Sequence, residues 1–299
     1  MTSTETLIDH FNRNRPRLKA LAYRMLGSIP DAEDALHDSW LRMSRPSTGA
    51  GDIGNIEGWL TTVVARVCLN KLRARKARPE DAIGLVLPDL FITGLEEGGP
   101  EREIQLAEQV GLALQVVLET LSPAERVAFV LHDLFGLPFD RIAAMIDRTP
   151  QAARKLASRA RQRVRGIRQE SFEGDRDEQL KVVEAFFAAS QRGDLDGLLQ
   201  ILHPDATFIA DGGTLRSSVT AVIHGAADVA RRAANFAIPD ATLRWVNING
   251  SIGVIVESAQ GPVSIMVFLV SESRITDIYV LLDPDRIGSH LAKARMHPN

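Results

Sequence analysis

One cysteine, Cys68, stands in 299 residues, which excludes an intramolecular disulfide and any cysteine-built zinc module. It reads as a small apolar residue on a helix. Aromatic residues reach only 5%, so no large aromatic surface for stacking bases is expected. No apolar run approaches the ~18 residues that a membrane helix needs. The best, VSIMVFLV at 263–270, has strand length. The opening MTSTETLIDHFNRNRPR lacks an apolar signal core, so a cytoplasmic protein without a membrane partner is expected.

What is present is charge, unevenly placed. The net charge is -3, but residues 66–78 carry six basic residues and no acid. Residues 141–168 carry nine basic residues and one acid, Asp147. Each run taken alone reads most simply as a solvated helix face. Two such runs, both on patterned helices, point to a polyanionic partner.

Apolar spacing predicts a helix from residue 5, broken at GSIPD by Gly27 and reopened by Ser28 or Asp31 with Pro30 near its start. DAEDALHDSWLRM and IEGWLTTVVARVCLNKLRARKA continue as helices, giving an all-α unit over 5–79. Residues 80–100 read as a linker with an apolar island, LVLPDLFI, that should dock rather than dangle. A second all-α unit over 101–168 starts with an amphipathic helix. A cap at Ser122 follows, with Pro123 and Glu125, and then helix-turn-helix spacing through DRTP. From 172 to 290, helices precede a run of strands, which predicts α+β with an antiparallel sheet.

At about 100° per residue, with Arg154 as zero, Ala153, Leu156, Ala157, Ala160, Val164 and Ile167 form one apolar stripe. Arg154, Ser158, Arg161 and Arg165 form a basic ridge, widened by Lys155, Arg159, Gln162 and Arg163. Together with Gln151 at the helix start, these side chains suit a major groove, where arginine bonds guanine edges and other cations hold phosphates. In the 55–78 helix, Asn55, Trp59, Thr61 and Thr62 offer groups for unstacked bases, and Arg66, Asn70, Lys71, Arg73 and Arg75 for phosphates. The helix at 31–43 is acidic at Asp31, Glu33, Asp34 and Asp38, beside Leu36, Trp40 and Leu41. Acid there complements the helix dipole, and the apolar neighbours add a surface for a basic helical partner.

These segments resemble the extracytoplasmic-function sigma factors of the sigma-70 family. DAEDALHDSWLRM with GNIEGWLTTVVARVCLNKLRARKAR resembles their region 2, and LSPAERVAFVLHDLFGLPFDRIAAMIDRTPQAARKLASRARQRVR their region 4. The resemblance implies core RNA polymerase (β′ clamp helices and β subunit) and promoter DNA as partners. The 31–43 helix would meet the clamp helices, with His37 standing where glutamine is usual. The 55–78 helix would open the −10 element and the 150–165 helix would read the −35 element. The tail resembles a SnoaL-like, NTF2-type cone fused to a subgroup of these factors. It carries Asp211-Gly212-Gly213, Asn249-Gly250 and Asp283-Pro284-Asp285, with Thr214, Leu215, Ser251 and Ile252 departing from that subgroup's usual residues. It implies a fused regulator acting through the linker at Leu87, Pro88 and Asp89, and leaves open a small-molecule ligand or protein partner for the tail.

Two alternatives stand beside this reading: a stand-alone helix-turn-helix regulator, and a SnoaL-like enzyme with a DNA-binding arm. For the second, His203, Asp205, Asp211 and His224 are acid or base candidates by type. None has a recognisable metal or nucleophile spacing, so no catalytic residue, cofactor or metal is expected.

Overall fold

The computed structural model describes residues 2–44, 55–77, 87–95, 111–165, 176–213, 216–235, 238 and 240–295. The chain divides into two bodies, residues 1–82 with 112–167, and residues 83–111 with 168–299.

The first body is helical. Helix α1 (Thr2–Leu26) ends where Gly27 turns to φ +70°, and Ser28 caps α2 (Ile29–Met43) by accepting the Asp31 N–H. Asn55 caps α3 (Ile56–Lys76) in the same way. Helix α4 (Leu112–Thr120) forms the later half of the expected 101–120 helix, and the earlier half lies outside the described residues. Helix α5 (Pro123–Phe129) opens on a complete capping box. The Glu125 N–H donates to the Ser122 hydroxyl at 3.4 Å, and the Ser122 N–H donates to the Glu125 carboxylate at 3.1 Å. The helix continues through a π-helical turn at Val130–Leu134. Helices α6 (Phe139–Ile146) and α7 (Pro150–Arg165) complete the body, with Asp147 in the left-handed conformation between them. Leu18, Leu21, Met25, Leu60, Leu118 and Ile142 are among its fully buried side chains.

In the second body, α8 (Arg176–Arg192) and α9 (Leu195–Ile201) precede β2 (Leu202–Asp211), numbered after a short linker strand β1 (Ile92–Thr93). Then come β3 (Ala221–His224), α10 (Ala226–Asn235), β4 (Thr242–Ile248), β5 (Ser251–Ser258), β6 (Gly261–Ser271), β7 (Arg274–Leu281) and α11 (Pro284–Arg295). The sheet order is β1-β4-β5-β6-β7-β2-β3. It is mixed rather than wholly antiparallel, because β2 and β7 run parallel, Phe208 opposite Ile278. These strands belong to opposite ends of the domain, so no hairpin dictates their direction. Of the expected strand SSVTAVIH only the second half is a strand; Ser217–Val219 form a 3-10 turn.

One face of the sheet buries Ile252, Val254, Phe268, Ile278 and Val280 against Phe186 and Val229 from the helices. Rings of Phe186, Phe187, Phe268 and Trp245 pack edge to face, with centroids 5.4 to 6.0 Å apart. On the other face Ile255, Ile265, Val267 and Leu281 are buried as well, as the apolar runs of β5 to β7 require.

Candidate nucleic-acid, polymerase and linker-binding surfaces

On α2 the acidic residues divide into closely paired ones and ones that meet a cation only at 3.9 Å. Glu33 accepts from Lys19 at 2.7 Å and Arg15 at 2.9 Å. Burial alone would raise the Glu33 pKa, but these two cations outweigh it and hold the carboxyl below its usual range. Asp31 pairs with Arg75. Asp34, His37 and Leu41 are exposed and Asp38 is half-buried, while Leu36 is buried and Trp40 packs on Phe11 with ring centroids 5.3 Å apart. An open cavity of about 500 Å³ runs between α1 and α2, lined by Ile8, Phe11, Asn12, His37 and Trp40 among others.

The basic residues of α3 are similarly divided. Lys71 Nζ lies 3.9 Å from both Asp34 and Asp38, and Arg75 also donates to the Leu26 carbonyl at 2.9 Å. These two side chains, expected to be available for phosphates, face α2 and the end of α1. Thr61 is 1% exposed and donates to the Glu57 carbonyl at 2.7 Å, so it is buried instead of facing bases. Thr62 donates to the Gly58 carbonyl at 2.8 Å, and the Asn55 oxygen accepts the Gly58 N–H at 2.8 Å. Trp59 is half-buried. Arg66 and Asn70 are exposed one turn apart, and Arg73 reaches within 3.7 Å of Asp147.

Of the expected apolar stripe of α7, Ala153, Ala157 and Ala160 are fully buried, and Leu156 and Val164 are half-buried. Gln151, Arg154, Lys155, Ser158, Arg159 and Gln162 are exposed. Arg161 is half-buried, its Nε donating to Asp133 at 2.6 Å. Arg165 ends the helix; its side chain lies outside the described residues, as does Ile167.

The apolar island of the linker docks in the second body. Leu87, Pro88 and Leu90 are buried. The buried Asp211 carboxylate accepts the Leu87 N–H at 2.7 Å and the Gly213 N–H at 2.9 Å. Arg286 pairs with that same carboxylate and donates to the Leu87 carbonyl. One arginine and one aspartate thus hold both main-chain groups of a single linker residue. Four residues on, the Asn249 side-chain oxygen accepts the Phe91 N–H at 2.9 Å, and the Asn249 N–H donates to the Phe91 carbonyl at 3.1 Å. The linker then pairs with β4, Ile92 opposite Ile248. Asp89 lies 4.0 Å from the buried His290 of α11.

The glycines of the Asp211-Gly212-Gly213 motif are sterically required. A Cβ on Gly212 would meet the Arg216 carbonyl, and one on Gly213, at φ +60°, would meet the Asp283 carboxylate. Asp283 in turn caps α11 by accepting the Arg286 N–H at 3.0 Å. Asn249 and Gly250, at φ 52° and 84°, make the tight two-residue turn between β4 and β5.

Residues 10–78 match the Sigma-70 region 2 family, 111–164 the Sigma-70 region 4 family, and 183–261 the SnoaL-like domain family. The chain is 40% identical to the ECF RNA polymerase sigma factor SigJ of Mycobacterium tuberculosis over 225 residues, 75% of this chain and 71% of that protein. It belongs to the ECF RNA polymerase sigma factors. The probable ECF sigma factor SigI of the same organism is 31% identical over 278 residues, 92% of each chain. The crystal structure of Mycobacterium tuberculosis SigJ superposes with a TM-score of 0.67 at 31% identity, over 94% of this chain and 98% of that one. This sigma factor therefore carries the two DNA- and polymerase-directed regions of an alternative initiation factor, fused to a SnoaL-like domain.

Sequence reasoning named Asp211, Gly213, Asn249 and Asp283 in this sigma factor but missed Arg286, the residue that closes the grip on Leu87. A signal existed: Asp283-Pro284 is an N-cap followed by proline at the first helical position, which announces α11. Of the acid-base candidates, Asp211 is engaged by the linker, Asp205 and His224 are exposed, and His203 Nδ1 accepts the Asp205 N–H at 3.1 Å. Among the described residues, no group of three or more His, Cys, Asp or Glu is arranged to hold a metal ion. No described helix is long and apolar enough to cross a membrane.

Proposed function

We propose that this sigma factor binds core RNA polymerase through α2 and directs it to promoters through α3 and α7, under control of the SnoaL-like domain acting on the linker. The exposed Asp34, His37 and Leu41, with the half-buried Asp38, form the acidic and apolar side of α2 suited to a basic helical partner, the β′ clamp helices. Arg66, Asn70 and Arg73 are the part of α3 offered to the −10 strand, with Trp59 and Asn55 at its start. Helix α7 lies in the major groove of the −35 element, with phosphate contacts giving a salt-dependent affinity.

The observation that carries the regulatory half is the grip of Asp211, Arg286 and Asn249 on the main chain of Leu87 and Phe91. This segment joins region 2 to region 4. Holding it sets how far the two DNA-reading regions can separate, and releasing it lengthens their tether. Control of this kind needs no chemistry in the cone.

Reconstituted transcription tests both halves. The full-length chain should form a stoichiometric complex with core polymerase without DNA, and failure to do so overturns the polymerase assignment. Ending the chain at residue 171 should change run-off output severalfold while the complex persists. Equal output from the two forms overturns the regulatory assignment.

A further inference from the structure

The basic ridge of α7 is divided by partners inside the protein. Arg154 lies with its guanidinium 5.7 Å from the Phe139 ring centroid, against α6. Arg161, two turns along on the same side, is held by Asp133 of the π-helical turn. On the other flank, Arg163 donates to Glu125 of the capping box at 3.2 Å. Both edges of the helix are thus tied to the elements that precede it.

Between those edges lies a different surface. The buried stripe of Ala153, Ala157 and Ala160 fixes the direction toward the core. At about 100° per residue, the direction opposite that stripe falls among Gln151, Lys155, Ser158 and Gln162, spaced i, i+4, i+7 and i+11. All four are exposed, and Arg159 borders them. Arg154 and Arg161 sit about a quarter turn away, on the side of the preceding helix. In a helix-turn-helix the preceding helix crosses the DNA backbone, while the outward face of the second helix, chiefly its N-terminal residues, meets base edges.

We infer that promoter −35 sequence is read by Gln151 and Lys155, with Ser158 and Gln162 completing the stripe, and that Arg154 and Arg161 are phosphate-positioning residues. This rests on the −35 assignment of α7. The residue chemistry fixes the expected preferences. Gln151 presents a carboxamide that bonds adenine N6 and N7 in two-point fashion, and Lys155 donates to guanine O6 and N7. The arginines, shared with Phe139 and Asp133, give charge to the backbone without selecting a base.

The test is initiation by core polymerase and the full chain on promoters carrying every single-base change in the −35 element. Gln151→Ala and Lys155→Ala should each flatten the preference at one or two positions by about tenfold. Arg154→Ala and Arg161→Ala should lower output by a common factor on every promoter, leave the ranking of bases intact, and reduce its salt sensitivity. Thermal melts and core binding of all four variants confirm that they fold. If an arginine variant reshapes base preference, or both Gln151→Ala and Lys155→Ala leave it unchanged, the division is wrong. If all four variants match the parent on every −35 sequence while −10 changes still matter, the assignment of α7 itself fails, a distinct result.

Discussion

Asn249 meets the main chain of Phe91 as a neighbouring strand would, accepting its N–H with the side-chain oxygen and donating its own N–H to the carbonyl. This places the linker at the sheet edge before β1 begins, so that pairing with β4 extends an attachment already made. Asn249→Ala removes the acceptor and leaves a partly buried N–H without its partner, a loss of about 1–3 kcal/mol. Hydrogen exchange at residues 91–93 should quicken, with the strands β6 and β7 unaffected, because the change loosens an edge and the β4–β5 turn, where Asn249 sits at φ 52°, and not the core. Exchange unchanged at Phe91 would show that the bond is dispensable.

Arg286 and Asp211 act on Leu87 as one unit, since the same carboxylate accepts from the linker and from the arginine. Removing the arginine leaves Asp211, 1% exposed, without its counter-charge. Arg286→Ala and Asp211→Asn should therefore be non-additive, the double variant being little worse than the poorer single one. Susceptibility of the linker to limited proteolysis, together with run-off output, measures this. Strictly additive effects would place the two residues in separate roles.

Gly213→Ala should release the linker by another route. The substitution demands a left-handed φ from alanine and presses its methyl group on Asp283, the cap of the helix that carries Arg286. Linker proteolysis should rise to the level seen for Arg286→Ala. Retention of a protected linker would mean that Asp283 shifts without disturbing Arg286.

The helices were legible in the sequence where local chemistry determines them. Ser28 and Ser122 are caps with their N–H donors at the expected spacing, whereas Asn55, read for unstacked bases, caps α3 as well. The linker strand was not, because two residues carry no period, and the linker's partners Asp211 and Asn249 lie 124 and 158 positions from Leu87 and Phe91. The candidate DNA-binding surfaces were half legible. Periodicity located the buried alanines of α7, but the arginines themselves drew attention toward one flank of the helix, whereas the outward direction is set by the alanines. In α3 the charge run gave no indication that Lys71 and Arg75 pair with α2, since ion-pair partners across helices have no fixed sequence spacing.

Glu125 links the helical body to acid. Burial alone would raise the Glu125 pKa, but the Ser122 hydroxyl and N–H, with Arg163 and Arg159, overcome it and hold the carboxyl below its usual range. A depressed folded pKa contributes stability that is complete above the unfolded value, about 4.3, and is lost as pH falls through the folded value. Urea midpoints of the protein should therefore drop over that acid window. Glu125→Gln should lower the midpoint at neutral pH and flatten part of the acid slope. A slope identical in parent and variant would remove Glu125 from the linkage.

Arg126 offers the largest expected effect in the helical body. It is 3% exposed, donates to the Glu119 carboxylate through two bonds of 2.9 Å, and donates to the Met25 carbonyl at 2.9 Å. The carbonyl belongs to the last turn of α1, where helix ends lack internal donors, so this guanidinium caps one helix while pairing with another. Arg126→Ala leaves a half-buried carboxylate and a helix-end carbonyl unpartnered together, and should cost about 3–5 kcal/mol. Arg126→Lys keeps the charge but cannot form the two-point contact, so it should recover only part of the loss. Denaturant unfolding of the three proteins checks both. An Arg126→Lys variant as stable as the parent would show that charge, and not the planar fork, holds α1, α4 and α5 together.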